Sequence, residues 1–185
     1  FVRKGNFLFN VFRRSLDSSN GCVLISKPDY ERTITHTHEI PDECTLFEFT
    51  NDFYREIFIN YNTTSFLKDN DQHSTLIRTT AELELLHFYI LQQIQLRSAV
   101  KLQIDNLVVE VLSKALNAIT DHTPDQKINA RFKKNHLITI ERAKEYITTN
   151  FINDISLMDV ADYCHVSPFH FTRIFKTFTS SPPHP

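Results

Sequence analysis

The stretch SLMDVADYCHVSPFHFTRIFK, Ser156 to Lys176, decides how the chain is read. Ser156 offers a capping hydroxyl with Asp159 three residues on, as in a capping box, and Leu157, Val160 and Ala161 form the buried side of the helix that follows. Ser167 and Pro168 mark a second start, a capping hydroxyl followed by the residue whose fixed φ suits the first helical position. Only Cys164, His165 and Val166 lie between, so the two helices are expected to cross steeply, with Ala161 small enough to allow it. His165 falls where a left-handed residue is wanted, and histidine tolerates that region better than most residues. Val166 plugs the underside of the turn.

The helix that opens at Ser167 divides into two faces. Phe171, Ile174, Phe175 and Phe178 follow the i, i+3, i+4, i+7 rule and predict a buried stripe. Phe169, Thr172, Arg173 and Lys176 repeat that spacing two positions earlier, roughly 200° around the helix. The outer face therefore carries an aromatic ring, a hydroxyl, a guanidinium and an ammonium, groups that suit a thymine methyl, a base edge, a guanine and a phosphate. A solvated face of an ordinary three-helix bundle is the plainer alternative, against which an apolar ring inside a cationic stripe counts. His170 is read either as a phosphate contact or as a shield for the turn.

Upstream, Ile140, Ala143 and Ile147 give the apolar side of a further helix, with Glu141 near its positive end and Asn150 suited to stopping it. The stretch from residue 121 to 135 is polar, holds Pro124 and reads as a linker. From Leu76 to Ile119 the pattern is helical, with Leu83, Leu86, Ile90 and Ile94 on one face and Ile104, Leu107, Val108, Val111, Leu112, Ala115 and Ile119 on another. Packing on a sheet is the preferred cover for these stripes and a dimer contact the alternative. The first sixty residues read as strands at FLFNVF, GCVLIS and CTLFEF, separated by turns at SLDSSNG, KPDYE and EIPDE. Thr50 is placed to cap a helix with Asp52 in its first turn.

Composition narrows the function. The two glycines, Gly5 and Gly21, allow no phosphate-binding loop, no dinucleotide fingerprint and no nucleophile elbow. No apolar run approaches the roughly 18 residues that cross a bilayer, so no membrane association is expected. The basic first segment lacks an apolar core and a cleavage site, so it does not read as a signal peptide. Cys22, Cys44 and Cys164 are odd in number and widely spaced, which predicts buried thiols in a reducing, cytoplasmic setting. The net charge of −2 divides into +3 from Lys127 onward and −5 before it, a slightly basic end on an acidic body. The single methionine, Met158, and a first residue of phenylalanine lead to the expectation of a fragment.

The last fifty residues resemble the first half of the DNA-binding domain of AraC/XylS-type transcription regulators. The resemblance lies in Ala143, Tyr146, Ile147 and Asn150, in the helix from Ser156 to Ala161, and in the S-P-x-H-F-x-R-x-F-K pattern from Ser167 to Lys176. Further upstream, HTHEIPDECTLFEFTNDFY resembles the end of a cupin-like sensor barrel, and LQIDNLVVEVL the helix after it. The resemblance implies that Phe169, Thr172 and Arg173 contact bases in the major groove of double-stranded DNA, with Ser167 and Lys176 near the backbone. It implies also a small-molecule effector such as a sugar, and a homodimer. The family's second reader helix and its usual glycine after the third helix have no counterpart here, where Ser180 and Ser181 stand instead. A lone reader would fall in the non-specific range of roughly 10⁻⁴ to 10⁻⁶ M.

The fold expected is thus α+β, mostly α: a partial antiparallel cupin-like barrel over 1–60, a helical connector over 61–120, a linker over 121–135 and a three-helix helix-turn-helix subdomain over 136–185. The function expected is an effector-responsive, sequence-specific DNA-binding regulator, truncated at both ends, with no catalysis and no cofactor. Two alternatives remain beside it. A metal-dependent cupin enzyme would use His36, His38 and Glu43, an H-x-H and carboxylate set, although the signature glycines and a final histidine are missing; Asp42 with Glu43 as an acid/base pair is weaker, because neighbours on a strand face opposite ways. The other is a dimerisation fragment that does not bind DNA. His73, His87, His122, His136 and His184 have no spaced partners and read as surface or boundary residues.

Overall fold

Alternation builds the sheets. In the computed structural model, which describes residues 1–36, 41–61, 65–96, 100–120, 128–179 and 181–183, Phe7, Phe9 and Val11 point inward from β2 (Asn6–Val11) and are buried with Val2 of β1 (Val2–Lys4). β2 lies between β3 (Arg14–Ser19) and β5 (Arg32–His36), antiparallel to both, with Phe9 opposite Leu16 on one side and Ile34 on the other. The β2–β3 hairpin turns through Phe12, whose φ of 52° is left-handed. A second pair joins β1 to the two-residue β6 (Glu43–Cys44), and a third joins β4 (Cys22–Ser26) to β7 (Ser74–Arg78). Gly5 holds φ at +82°, and a Cβ there would run into the Asp42 side chain. No closed barrel forms among the described residues.

Four helices complete this part of the chain. α1 (Asn51–Asn60) starts under Thr50, whose hydroxyl accepts from the Phe53 amide at 3.2 Å, as its sequence implied. α2 (Ser65–Lys68) is one turn that buries Phe66 and Leu67. α3 (Ala81–Gln95), capped by Thr80, and α4 (Lys101–Thr120) carry the predicted stripes. Leu83, Ile90, Val111 and Ala115 bury against Val23 of β4 and Ile77 of β7, so the sheet covers these helices. Ile94 departs from the predicted stripe and is exposed.

Several boundaries differ from those the sequence suggested. Ser74–Arg78 is a strand and not the start of a long helical region: its β-aliphatic run STLIR is paired along its length by β4, from Cys22 opposite Arg78 to Ser26 opposite Ser74, and tertiary pairing outweighs the local pattern. CTLFEF is not a full strand. The strand ends at Cys44 and backbone pairing goes no further than Thr45, which exchanges two hydrogen bonds with Phe1; Phe47 packs on Phe1 and the α3–α4 core, while Phe49 stacks on Phe53 with centroids 5.2 Å apart. SLDSSNG, read as a turn, supplies much of β3, because Phe7 and Phe9 on the partner strand provide the apolar face that its serines lack. The boundary drawn at residue 60 does not separate compact parts, since β4, β7, α3 and α4 share one core. Chain contacts divide the molecule into units Phe1–Pro124 and Asp125–Pro185.

The second unit holds α5 (Ala130–Asn150), α6 (Leu157–Tyr163) and α7 (Pro168–Thr179). α5 begins inside the stretch read as linker. The Asn129 carboxamide oxygen accepts from the amides of Arg131 and Phe132, at 2.9 and 3.3 Å, and Phe132 joins Leu137, Ile140, Ile174 and Phe178 in a core cluster. Residues 121–127 of that stretch lie outside the described residues. The architecture is α+β, with small antiparallel sheets in the first unit and helices alone in the second. No helix among the described residues is long and apolar enough to cross a membrane.

Candidate nucleic-acid interface

Local chemistry sets the angle at which α7 is held. Ser156 and Asp159 form the full capping box: the Ser156 hydroxyl accepts from the Asp159 amide at 3.2 Å, and the Asp159 carboxylate accepts from the Ser156 amide at 2.8 Å. The bond from the Ser156 hydroxyl at 2.6 Å, and after it the one from the Ser156 amide, hold the Asp159 carboxyl below its ordinary pKa. α6 then ends through Cys164 into His165, at φ 56°, and the Val166 amide donates back to the Ala161 carbonyl at 3.0 Å. Ala161 has no exposed surface, and with Ala143, Val160, Cys164 and Phe171 it forms the cluster on which the three helices meet. Any longer side chain at Ala161 would push these helices apart.

α7 starts as its sequence implied, the Ser167 hydroxyl accepting from the His170 amide at 3.3 Å. Its two faces separate cleanly. Phe171 and Ile174 are wholly buried and Phe178 nearly so, while Phe175 is half-buried in both clusters. On the opposite side Phe169 is 82% exposed, and Arg173, Lys176 and Ser167 are exposed. Neither Arg173 nor Lys176 is held by a carboxylate among the described residues, so both cationic groups stand ready for an outside anion.

The remaining predicted residues are more engaged. Thr172 is half-buried and its hydroxyl donates to the Pro168 carbonyl at 2.9 Å, within the helix. That leaves its methyl group and the hydroxyl lone pairs for any further contact. His170 is also half-buried, its ring meeting that of His136 on α5 edge to face with centroids 5.3 Å apart. Its Nδ1 lies 3.4 Å from the Arg173 guanidinium, so it positions that side chain when the nitrogen is unprotonated. Both readings of His170 thus keep a footing, since it sits against α5 and also borders the outer face.

His136 was missed as part of this corner. Its pKa is lowered, first by burial and then by the positive fields of His170 and Arg173. The signal was within reach: once Phe132 is placed on α5, the next turn sets His136 beside it, and the rings lie 4.5 Å apart.

Of the residues weighed for metal, His36 and Glu43 have different partners. His36 Nδ1 lies 2.6 Å from Asp42 Oδ2, whereas Glu43 faces Lys4 at 4.0 Å, and His38 lies outside the described residues. Asp42 and Glu43 have separate partners and make no acid/base pair. Among the described residues no group of three or more His, Cys, Asp or Glu side chains is placed to hold a metal ion. Cys22 and Cys164 are buried thiols, but Cys44 is exposed, because β6 lies at the edge of a two-stranded pair.

Two histidines expected at the surface or at a boundary are buried. His87 donates or accepts through Nε2 with the Thr45 hydroxyl at 2.8 Å and stacks on Phe1, and His73 stacks on Tyr30 with centroids 3.7 Å apart. Aromatic neighbours from distant parts of the chain cover them, which spacing along the sequence cannot reveal. His122 and His184 lie outside the described residues.

No family model matches this chain, and comparison with curated proteins and with solved structures likewise gives no match.

Proposed function

We propose that the chain is part of a cytoplasmic, sequence-specific DNA-binding transcription regulator of the AraC/XylS type. In this reading α6 and α7 are a helix-turn-helix, α7 enters the major groove of double-stranded DNA, and the strands of the first unit derive from a cupin-like sensor that responds to a small effector such as a sugar and pairs as a homodimer. The observation that carries it is the outer face of α7. Phe169, Arg173 and Lys176 are exposed together, opposite the buried Phe171, Ile174 and Phe178, on a helix whose start is fixed by Ser167 and Pro168.

A helix in the major groove needs a few side chains that reach base edges from a rigid base and cations beside them for phosphates. Arg173 fits the bidentate contact to guanine, Phe169 and the Thr172 methyl fit thymine methyls, and Lys176 fits a phosphate. Ser167 offers its backbone at a helix start, where an anion is favoured, and His170 steadies Arg173. The chemistry is binding, with no bond made or broken.

The test is selection from a pool of randomised duplexes by the intact protein, followed by binding measured against salt. Enrichment of one motif, with affinity falling steeply as salt rises, is the expected result. Recovery of unenriched sequence, bound no better than random duplex, would remove the sequence-reading role.

A further inference from the structure

The first unit holds a half-open cavity of about 160 Å³, a place to which the proposed function has assigned no particular ligand. Its walls come from the β4 strand, from the segment after β6, from α1 and α2 and from one face of α4; strands alone do not enclose it. The lining is apolar and strongly aromatic, with Phe47, Phe53, Tyr54 and Phe66 facing Val111 and Leu112. Among the described lining residues one side chain is charged, Lys27, and none is acidic.

Lys27 is an unusual residue to find there. It is only 7% exposed, and an ammonium taken from water this far needs a counter-charge or a full set of acceptors. Its Nζ donates to the Asp69 backbone carbonyl at 2.6 Å and lies 5.0 Å from the centroid of the Phe66 ring, itself part of the cavity wall. An ammonium has three donors, and one carbonyl with one aromatic face neutralises no charge. Burial lowers the Lys27 pKa, and the field of Asp69 offsets this only in part. Two other polar groups in the wall are already paired: the Ser26 hydroxyl lies 2.8 Å from that of Ser74, and the Thr45 hydroxyl 2.8 Å from His87.

We propose that this cavity binds a small apolar monocarboxylate, with its carboxylate on the Lys27 ammonium and its hydrocarbon among Phe47, Phe53, Phe66 and Leu112. Charge selects the head group, since a lone buried cation in an apolar wall attracts an anion and rejects an amine. Volume selects the size. A closed apolar cavity of about 150 Å³ holds a benzene-sized molecule, so the part of the ligand seated inside has roughly six to nine heavy atoms. A sugar, the example of an effector given with the proposed function, fits this cavity poorly, because each hydroxyl would lose its water with few free partners in exchange; here the monocarboxylate takes its place. The inference goes beyond the DNA-binding reading and does not depend on it, because ligand binding is measured on the protein without DNA.

Hexanoate, hexanol and hexylamine share one chain and differ in head group. Titrated calorimetrically into the intact protein, hexanoate should bind saturably and at least tenfold more tightly than hexanol, and hexylamine should not bind. Lys27→Met should cost at least tenfold in hexanoate affinity and leave hexanol unchanged, whereas Lys27→Arg should keep the preference for the acid. The comparison of the three probes on the unaltered protein needs no variant, so it stands even where Lys27→Met fails to fold. Methyl chemical shifts should move at Val111 and Leu112. Equal binding of hexanoate and hexanol, absence of hexanoate binding, full retention of affinity in a folded Lys27→Met protein, or shifts confined to other methyls would each overturn the proposal.

Discussion

Arg173 and Lys176 are one turn apart on the same exposed face, yet the chemistry of their head groups assigns them different work. A guanidinium forks onto two acceptors of a guanine, whereas an ammonium is a point charge that does not distinguish one phosphate from the next. On the proposed function, Arg173→Ala in the intact protein should therefore cost about 1 to 3 kcal/mol at the selected site and much less on random duplex. Lys176→Ala should weaken all sequences alike and lower the salt slope by about one. Binding isotherms on both duplexes at several salt concentrations decide this, and equal losses for Arg173→Ala would assign it to the backbone.

His165 gives a prediction that needs no DNA. At φ 56° a β-branched side chain is strained, so His165→Val should destabilise the second unit by about 1 to 2 kcal/mol, and His165→Gly should be neutral or better, as read from urea midpoints. This residue and the outer face of α7 were legible because both follow from local spacing. His73 and His87 were not, since Tyr30 and Thr45, which cover them, come from 42 or more residues away.

Elements with their own start signals were read correctly; of those made by pairing, FLFNVF and GCVLIS were read as the strands β2 and β4, whereas β3 and β7 were not. Thr50, Ser156 and Ser167 each cap the helix expected of them, because a capping hydroxyl acts within three residues. β7 was missed since its partner β4 lies some fifty residues earlier, and the early start of α5 was missed since Phe132 is apolar in a polar run until Phe178 is brought against it. Ser156→Ala should cost about 1 kcal/mol of unfolding free energy in the second unit. The Asp159 carboxyl is lowered in the folded state, so the contribution of its bonds is complete above the ordinary carboxylate range and is lost as pH falls through the folded value.

Where α5 meets α7 the sign is the same for a different group. Burial, His170 and Arg173 lower the pKa of His136, so the fold prefers the neutral ring. The stability tied to it is complete above about pH 6.5, the ordinary value, and falls as the pH drops toward the lowered one. His136→Gln should flatten that part of a stability profile recorded between pH 7.5 and 5, and an unchanged profile would remove His136 as its source.

At the scale of the molecule each unit carries its own core, with Leu83, Ile90 and Val111 in the first and Ala143, Ala161, Phe171 and Ile174 in the second. Phe171 has no exposed surface and sits where all three helices of the second unit meet. Phe171→Ala removes a ring whose loss costs roughly 3 to 5 kcal/mol. A unit of about 60 residues has a total stability of roughly 3 to 9 kcal/mol, so that loss is comparable with the whole. Hydrogen exchange in Phe171→Ala should therefore rise across α5, α6 and α7 toward the unfolded rate while β4, β7, α3 and α4 keep their protection. Ile90→Ala should do the reverse, raising exchange in those four elements and sparing α7. Protection lost in both sets from either change would mean that the two cores fold as one cooperative block. Loss in one set alone means that α7 is presented by a unit that stands on its own packing, the condition under which its outer face stays rigid whatever the first unit does.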